Sequence, residues 1–75
     1  MTRYANRGGN SGVVSYDIAD QSITVGFSDS SVYLYTYASA GQGNIEHMKN
    51  LAQAGQGLNT FINQNVKKLY ARRLM

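Results

Sequence analysis

The chain has 75 residues, with seven Lys and Arg against four Asp and Glu and a formal net charge of +3. That length suffices for one small domain, and the absence of cysteine excludes disulfides and thiolate metal sites, so stability has to come from packing or from packing together with self-association. No apolar run is long enough to cross a bilayer, and Met1–Asn10 lacks the apolar stretch of a secretory signal, so a cytoplasmic location without a membrane partner is expected.

Residues 1–10 are polar and end in Gly8-Gly9-Asn10, which reads as a mobile tail preceding a single domain over 11–72. From Ser11 the pattern takes a strand period. Val14, Tyr16 and Ile18 alternate with Ser15 and Asp17. Asp20-Gln21 makes a short turn, after which Ile23, Val25 and Phe27 alternate with Thr24 and Gly26. Ser28-Asp29-Ser30 is turn chemistry, because such short polar side chains bond back to their own backbone. Val32 to Tyr37 is rich in β-favouring residues and predicts a third strand. Strands joined by turns this short form an antiparallel meander.

The period changes after Ala40. Gly41-Gln42-Gly43 is a loop, Asn44 is placed to cap a helix, and Ile45, Met48, Leu51 and Ala52 recur at helical spacing until Gly55 stops the run. A second helix is predicted from Leu58 to about Arg72, with Leu58, Ile62, Val66 and Leu69 in one stripe and Phe61 on its edge. The expected fold is therefore α+β, in the order β-β-β-α-α, with both helices on one face of a three-stranded antiparallel sheet. The expected core is Val14, Tyr16, Ile18, Ile23, Val25, Phe27, Ile45, Met48, Leu51, Leu58, Phe61, Ile62, Val66 and Leu69, joined by Tyr33 and Tyr35.

The alternation of strand side chains puts Tyr33, Tyr35 and Tyr37 on one face of the third strand and Val32 and Leu34 on the other. Two arrangements are compatible with this. The tyrosines can face the helices, with hydroxyl partners among Asn59, Asn63 and Asn65, leaving Val13, Val32 and Leu34 as an apolar patch outside. Alternatively they can face outward as a stacking platform for bases. The first is preferred, because aromatic stripes usually belong to cores and because the second places Asp17 among the tyrosines, where it would repel phosphate.

Nothing in the sequence supports catalysis. His47 is the one histidine and has no second strong donor at ligand spacing, so no metal site is expected. Asp20 and Asp29 sit in turns for backbone reasons, and there is neither a Gly-x-Ser-x-Gly elbow nor a second histidine for a triad. The glycine loops before each helix lack a phosphate-binding fingerprint, and no cofactor is expected.

Charge is segregated. Arg3 and Arg7 lie at one end and Lys67, Lys68, Arg72 and Arg73 at the other, while the acids lie between. A basic helix end complements the macrodipole, and it also reads as a phosphate contact. With Tyr70, these six cations are the candidate nucleic-acid contacts.

Phe27, then Asp29-Ser30, then Tyr33-Leu34-Tyr35, followed later by Asn63, Val66, Lys67 and Tyr70, resembles the KTSC family, named for the C-terminal domain of some lysyl-tRNA synthetases. The resemblance spans roughly Ser11 to Tyr70. The sequence departs from the family pattern in having Ser30 where a turn glycine is usual, and in lacking a proline after the third strand. The resemblance implies a free-standing bacterial or phage form of the domain with a role in RNA binding. The expected function is thus a small non-catalytic accessory module that binds nucleic acid, RNA above all, through a basic C-terminal helix. The alternative is a protein-interaction or structural module whose partner is another protein or a second copy of itself.

Overall fold

A computed structural model describes residues 1–9 and 12–75. It is an α+β fold built on one antiparallel sheet in the order β1-β2-β3-β4-β5. The strands are β1 (Thr2–Arg3), β2 (Val13–Ala19), β3 (Ser22–Phe27), β4 (Val32–Thr36) and β5 (Arg72–Arg73). The helices are α1 (Tyr37–Ala40), α2 (Gln42–Ala54) and α3 (Leu58–Phe61), the last continuing as a π turn over Ile62–Val66. The meander β2-β3-β4 follows the alternation of the sequence, while β1 and β5 are additions at its two edges.

The core lies between the sheet and the helices. From β3 and β4 it takes Ile23, Val25 and Tyr35, from α2 Ile45, Met48 and Ala52, and from α3 and its continuation Leu58, Ile62 and Val66. Tyr16, Ile18, Phe27, Tyr33, Leu51 and Phe61 pack half-buried around this centre. Tyr35 stands opposite Ile23 and Tyr33 opposite Val25, so both tyrosines face the helices, and Asp17, Thr24 and Leu34 share the other face. The tyrosines are thus core-side residues, as the preferred arrangement had it. Their hydroxyls do not draw on the asparagines as expected: the Asn65 amide donates to the Phe61 carbonyl at 3.1 Å, within its own helix.

The structure corrects the sequence reading at several points. The fold does not begin at residue 11. Thr2–Arg3 pairs with Tyr16 and Ser15, and Tyr4 is 3 % exposed, with its hydroxyl accepting the Leu58 N–H at 3.3 Å. Asn10 and Ser11 lie outside the described residues. In β2 the core position is Val13, fully buried, and not Val14, which is 45 % exposed. The register shift between Val13 and Ser15 is the cause: Val13 pairs with Phe27 and Ser15 with Gly26, so Val14 is an extra residue in a bulge. One inserted residue inverts the faces before it. A side chain at Gly26 would meet the Ser15 hydroxyl, which would have to rotate away from it.

Tyr37 is not the end of β4. Thr36 caps α1 by accepting the Ser39 N–H at 3.1 Å, and the Ser39 hydroxyl accepts the Thr36 N–H at 3.0 Å. This reciprocal box turns the chain one residue early. Asn44 does not cap α2, which starts at Gln42; its amide donates to the Ala40 carbonyl at 2.8 Å. Gly55 ends α2 as the sequence implied, at φ 77°.

The second helix does not run to Arg72. It ends at Val66, and the Ala71 N–H donates to Leu34 O at 2.7 Å and the Leu74 N–H to Val32 O at 2.6 Å. The free side of β4 offers a row of unmet carbonyls, and pairing them outweighs two more turns of a helix whose stripe is nearly exhausted. Leu69 is consequently 42 % exposed and leaves the core.

Tyrosine chemistry makes the burial testable. Burial, reinforced by Tyr33 and Tyr70, pushes the Tyr35 phenol up to about 12, and a hydrogen bond to Glu46 does the same for Tyr37. A phenol whose folded pKa is raised contributes stability that is complete below the ordinary value near 10 and is lost as pH rises from there through about 12. Absorbance titration of tyrosinate should show a late component near pH 12, and Tyr35→Phe should remove part of it. A single transition near pH 10 for all tyrosines would contradict a buried Tyr35.

Candidate functional site

A cleft of about 370 Å³ opens where the β3–β4 turn, the π turn and the segment before β5 meet. Its strand wall is Phe27, Tyr33 and Tyr35. The turn contributes Ser28, Asp29 and Ser31, and Gly12 lies at the margin. The helical wall is Ile62, Asn63, Lys67 and Lys68, and Tyr70 completes the lining.

The aromatic part is held by edge-to-face contacts. Tyr33 meets Phe27 at 5.8 Å and Tyr70 at 4.6 Å between ring centroids, and Tyr35 meets Tyr70 at 6.4 Å. Rings set this way gain from the positive edge of one against the negative face of the next. Tyr70 remains 38 % exposed, so part of its ring is open to a ligand. The Arg73 guanidinium lies 5.5 Å from the centre of the Tyr33 ring, and its Nε donates to the Met75 carbonyl at 2.7 Å.

The turn is rigid for local reasons. Asp29 Oδ1 accepts the Ser31 N–H at 2.9 Å and the Ser31 hydroxyl at 2.5 Å. Those bonds, the hydroxyl one first, hold the Asp29 carboxyl below its usual range, with a smaller contribution from the charge of Arg73. Ser30 adopts φ 73°, the left-handed region that glycine enters without steric cost, at the turn position where the family pattern expects glycine.

The structure divides the predicted contacts. Lys67, Lys68 and Tyr70 line the cleft, and Arg73 is attached to its aromatic wall. Lys67 and Lys68 stand in the turn after Val66, so the expected basic C-terminal helix is a turn followed by a strand. Arg72 pairs opposite Leu34 and so belongs to the helix-free face of the sheet. Arg3 is on β1, four strand spacings from β5, about 19 Å. Arg7 is engaged in the fold: its N–H donates to Gly55 O at 2.7 Å and its Nε to Ala54 O at 2.9 Å, satisfying carbonyls at the end of α2. The six cations therefore do not make one patch. Arg3, Arg72 and Arg73 lie on the two short edge strands, where charge discourages pairing with another chain.

Of the residues that carry the family resemblance, Phe27, Tyr33, Tyr35, Asn63, Lys67 and Tyr70 all line the cleft, and Val66 is fully buried in the core. Lys68 lines it too, as does Ile62, expected only as core; Gly12, Ser28, Asp29 and Ser31 complete the lining, and of these only Asp29 entered the resemblance and none was named as a site residue. Their turn chemistry was visible, but a turn says nothing about which surface it adjoins. His47 is exposed, with its ring 4.6 Å from that of Phe61, and no metal-holding group of acidic, histidine or cysteine side chains occurs among the described residues. Among the described residues no helix is long and apolar enough to cross a membrane. Comparison of the chain with protein-family models, with curated proteins and with solved structures finds no match.

Proposed function

We propose that this chain is a small non-catalytic accessory module that binds single-stranded nucleic acid, RNA in particular, weakly and at the cleft. The observation that carries this is the meeting of Lys67 and Lys68 with the half-open Tyr70 ring on one concave surface. Single strands are held by a cationic track for the backbone combined with aromatic faces for the bases. Two lysines and one accessible ring are a modest set, which fits weak binding. We further propose that the chain is a member of the KTSC family; the convergence of six of its motif positions on one cleft supports this.

The test is a fluorescence-anisotropy titration of labelled single-stranded RNA, single-stranded DNA and duplex, at low and at physiological salt. Single strands should bind, duplex should bind less, and affinity should fall steeply with salt. Lys67→Glu with Lys68→Glu should weaken binding at least tenfold and reduce the slope of log K against log salt by about 1.4, that is about 0.7 for each of two phosphates no longer neutralised. A double variant that binds like the parent protein would sink the assignment of this surface.

A second reading, that the module works as a homo-oligomer, is favoured by Val32 and Leu34 on the helix-free face of the sheet beside Thr24 and Gly26. The two-residue strands at both edges argue against edge-to-edge pairing, so contact would be face to face. Sedimentation of the parent protein and of Leu34→Glu decides it: a dimer lost in the variant supports self-association, and two monomers remove it.

A further inference from the structure

The helical wall of the cleft is a π turn, Ile62–Val66, in place of a regular α turn. Such wide turns are rare and recur at functional sites, because the extra residue re-aims the side chains beside it. Asn63 is the second residue of that turn, is exposed and lines the cleft. Among the described residues no hydrogen bond engages its amide. Two residues on, the Asn65 amide is engaged by the Phe61 carbonyl. The free amide of Asn63 offers a donor and an acceptor side by side in one plane.

The β3–β4 turn brings a second acceptor to the same cleft. Asp29 Oδ1 takes both bonds from Ser31, and a carboxylate with two oxygens retains capacity for a further donor. A ligand seated here meets an aromatic wall, one amide with both polarities, one carboxylate, and lysines beside them.

We propose that the cleft takes one unpaired adenine of a single strand, packed against Tyr70 and read at its amino edge by Asn63, with a neighbouring phosphate on Lys67 and Lys68. This rests on the nucleic-acid reading above and adds a preference to it. An asparagine amide complements adenine with two bonds, accepting from the 6-amino group and donating to the adjacent ring nitrogen. Guanine presents two acceptors on its major-groove edge, which leaves the amide oxygen without a donor and sets Asp29 against the guanine carbonyl. Uracil has no amino group on that edge, where it presents only the O4 acceptor. Cytosine has one, but a single ring covers less of the aromatic wall. The cleft volume of about 370 Å³ is near the lower end of the ~300–1,000 Å³ typical of small-ligand sites, which suits one nucleotide and not a paired helix.

The test uses labelled RNA pentamers, UUUUU and the three variants with A, C or G at the centre, titrated against the full chain. The adenine pentamer should bind roughly 5- to 100-fold tighter than UUUUU, the discrimination expected of one bidentate amide pair. Asn63→Ala should bring that ratio to about one while leaving the salt slope unchanged, since Asn63 carries no charge. Circular dichroism of the variant confirms that the fold is retained. Equal, salt-dependent affinity for all four pentamers would overturn the adenine inference and leave nucleic-acid binding standing. So would a preference for guanine or cytosine, or an adenine preference that survives Asn63→Ala. Absence of binding to any pentamer at low salt would overturn both proposals together.

Discussion

Tyr4→Ala should destabilise the domain by about 3–5 kcal/mol, the range for removing a buried aromatic side chain. Tyr4 is 3 % exposed and belongs to the central cluster of buried side chains. Its N–H donates to Val14 O at 2.9 Å and its hydroxyl accepts the Leu58 N–H at 3.3 Å, so one residue ties the β1 edge to the first turn of α3. Truncation opens a cavity and leaves an orphan N–H at the helix start. A domain of this length has a total stability of only about 4–11 kcal/mol, so the loss takes from about a quarter to all of it. Urea unfolding followed by circular dichroism measures it. Tyr4→Phe, which removes the hydroxyl alone, should cost about 1 kcal/mol and separates the hydrogen bond from the packing. A Tyr4→Ala protein within about 0.5 kcal/mol of the parent would mean that residues 1–9 are dispensable to the fold.

Gly55→Ala should cost about 2–4 kcal/mol through two additive faults. Gly55 ends α2 at φ 77°, where any side chain pays for a left-handed backbone, and a Cβ there would lie 2.5 Å from that of Ala5. The second fault is steric contact with the N-terminal segment, which Arg7 fastens to the same helix end. The two can be separated. Ala5→Gly in the Gly55→Ala background should restore the part due to the clash, on the order of 1–3 kcal/mol, and leave the backbone strain. No rescue by the second substitution would show that Ala5 does not pack against Gly55.

Both effects involve a stretch that reads as a tail, which holds Tyr4 and the Ala5 that Gly55 packs against. A polar segment ending in two glycines carries no periodic signal, and a single buried tyrosine in nine residues is too sparse to produce one. What holds it is a pairing partner on β2 and a slot against α3, neither of them local. The bulge at Val14 is of the same kind. The sequence Val13-Val14 offers two equally apolar candidates for one core place, and the extra residue opposite Gly26 decides between them. The end of the second helix also escaped a local reading, because the residues after Val66 form β5 only when β4 is there to receive them.

Legible in the sequence alone were the meander, the end of α2 at Gly55, the stripe Leu58, Ile62, Val66, and the sharing of one strand face by Tyr33 and Tyr35, though not which side of the sheet that face takes. Each of these rests on a period or a cap, which neighbours a few residues apart enforce whatever the rest of the chain does. It also marked Phe27, Tyr33, Tyr35, Asn63, Lys67 and Tyr70 as belonging together, through a resemblance and without a geometry. That these six line one cleft, that Tyr33 and Tyr35 face the helices, that Lys67 and Lys68 stand in a turn, and that Arg3, Arg7 and Arg72 lie elsewhere follows from the folded chain alone. The reason is that a cleft is made by residues far apart in the chain, whose meeting depends on strand register and on where a helix stops, and both are set by pairing partners that no local pattern names.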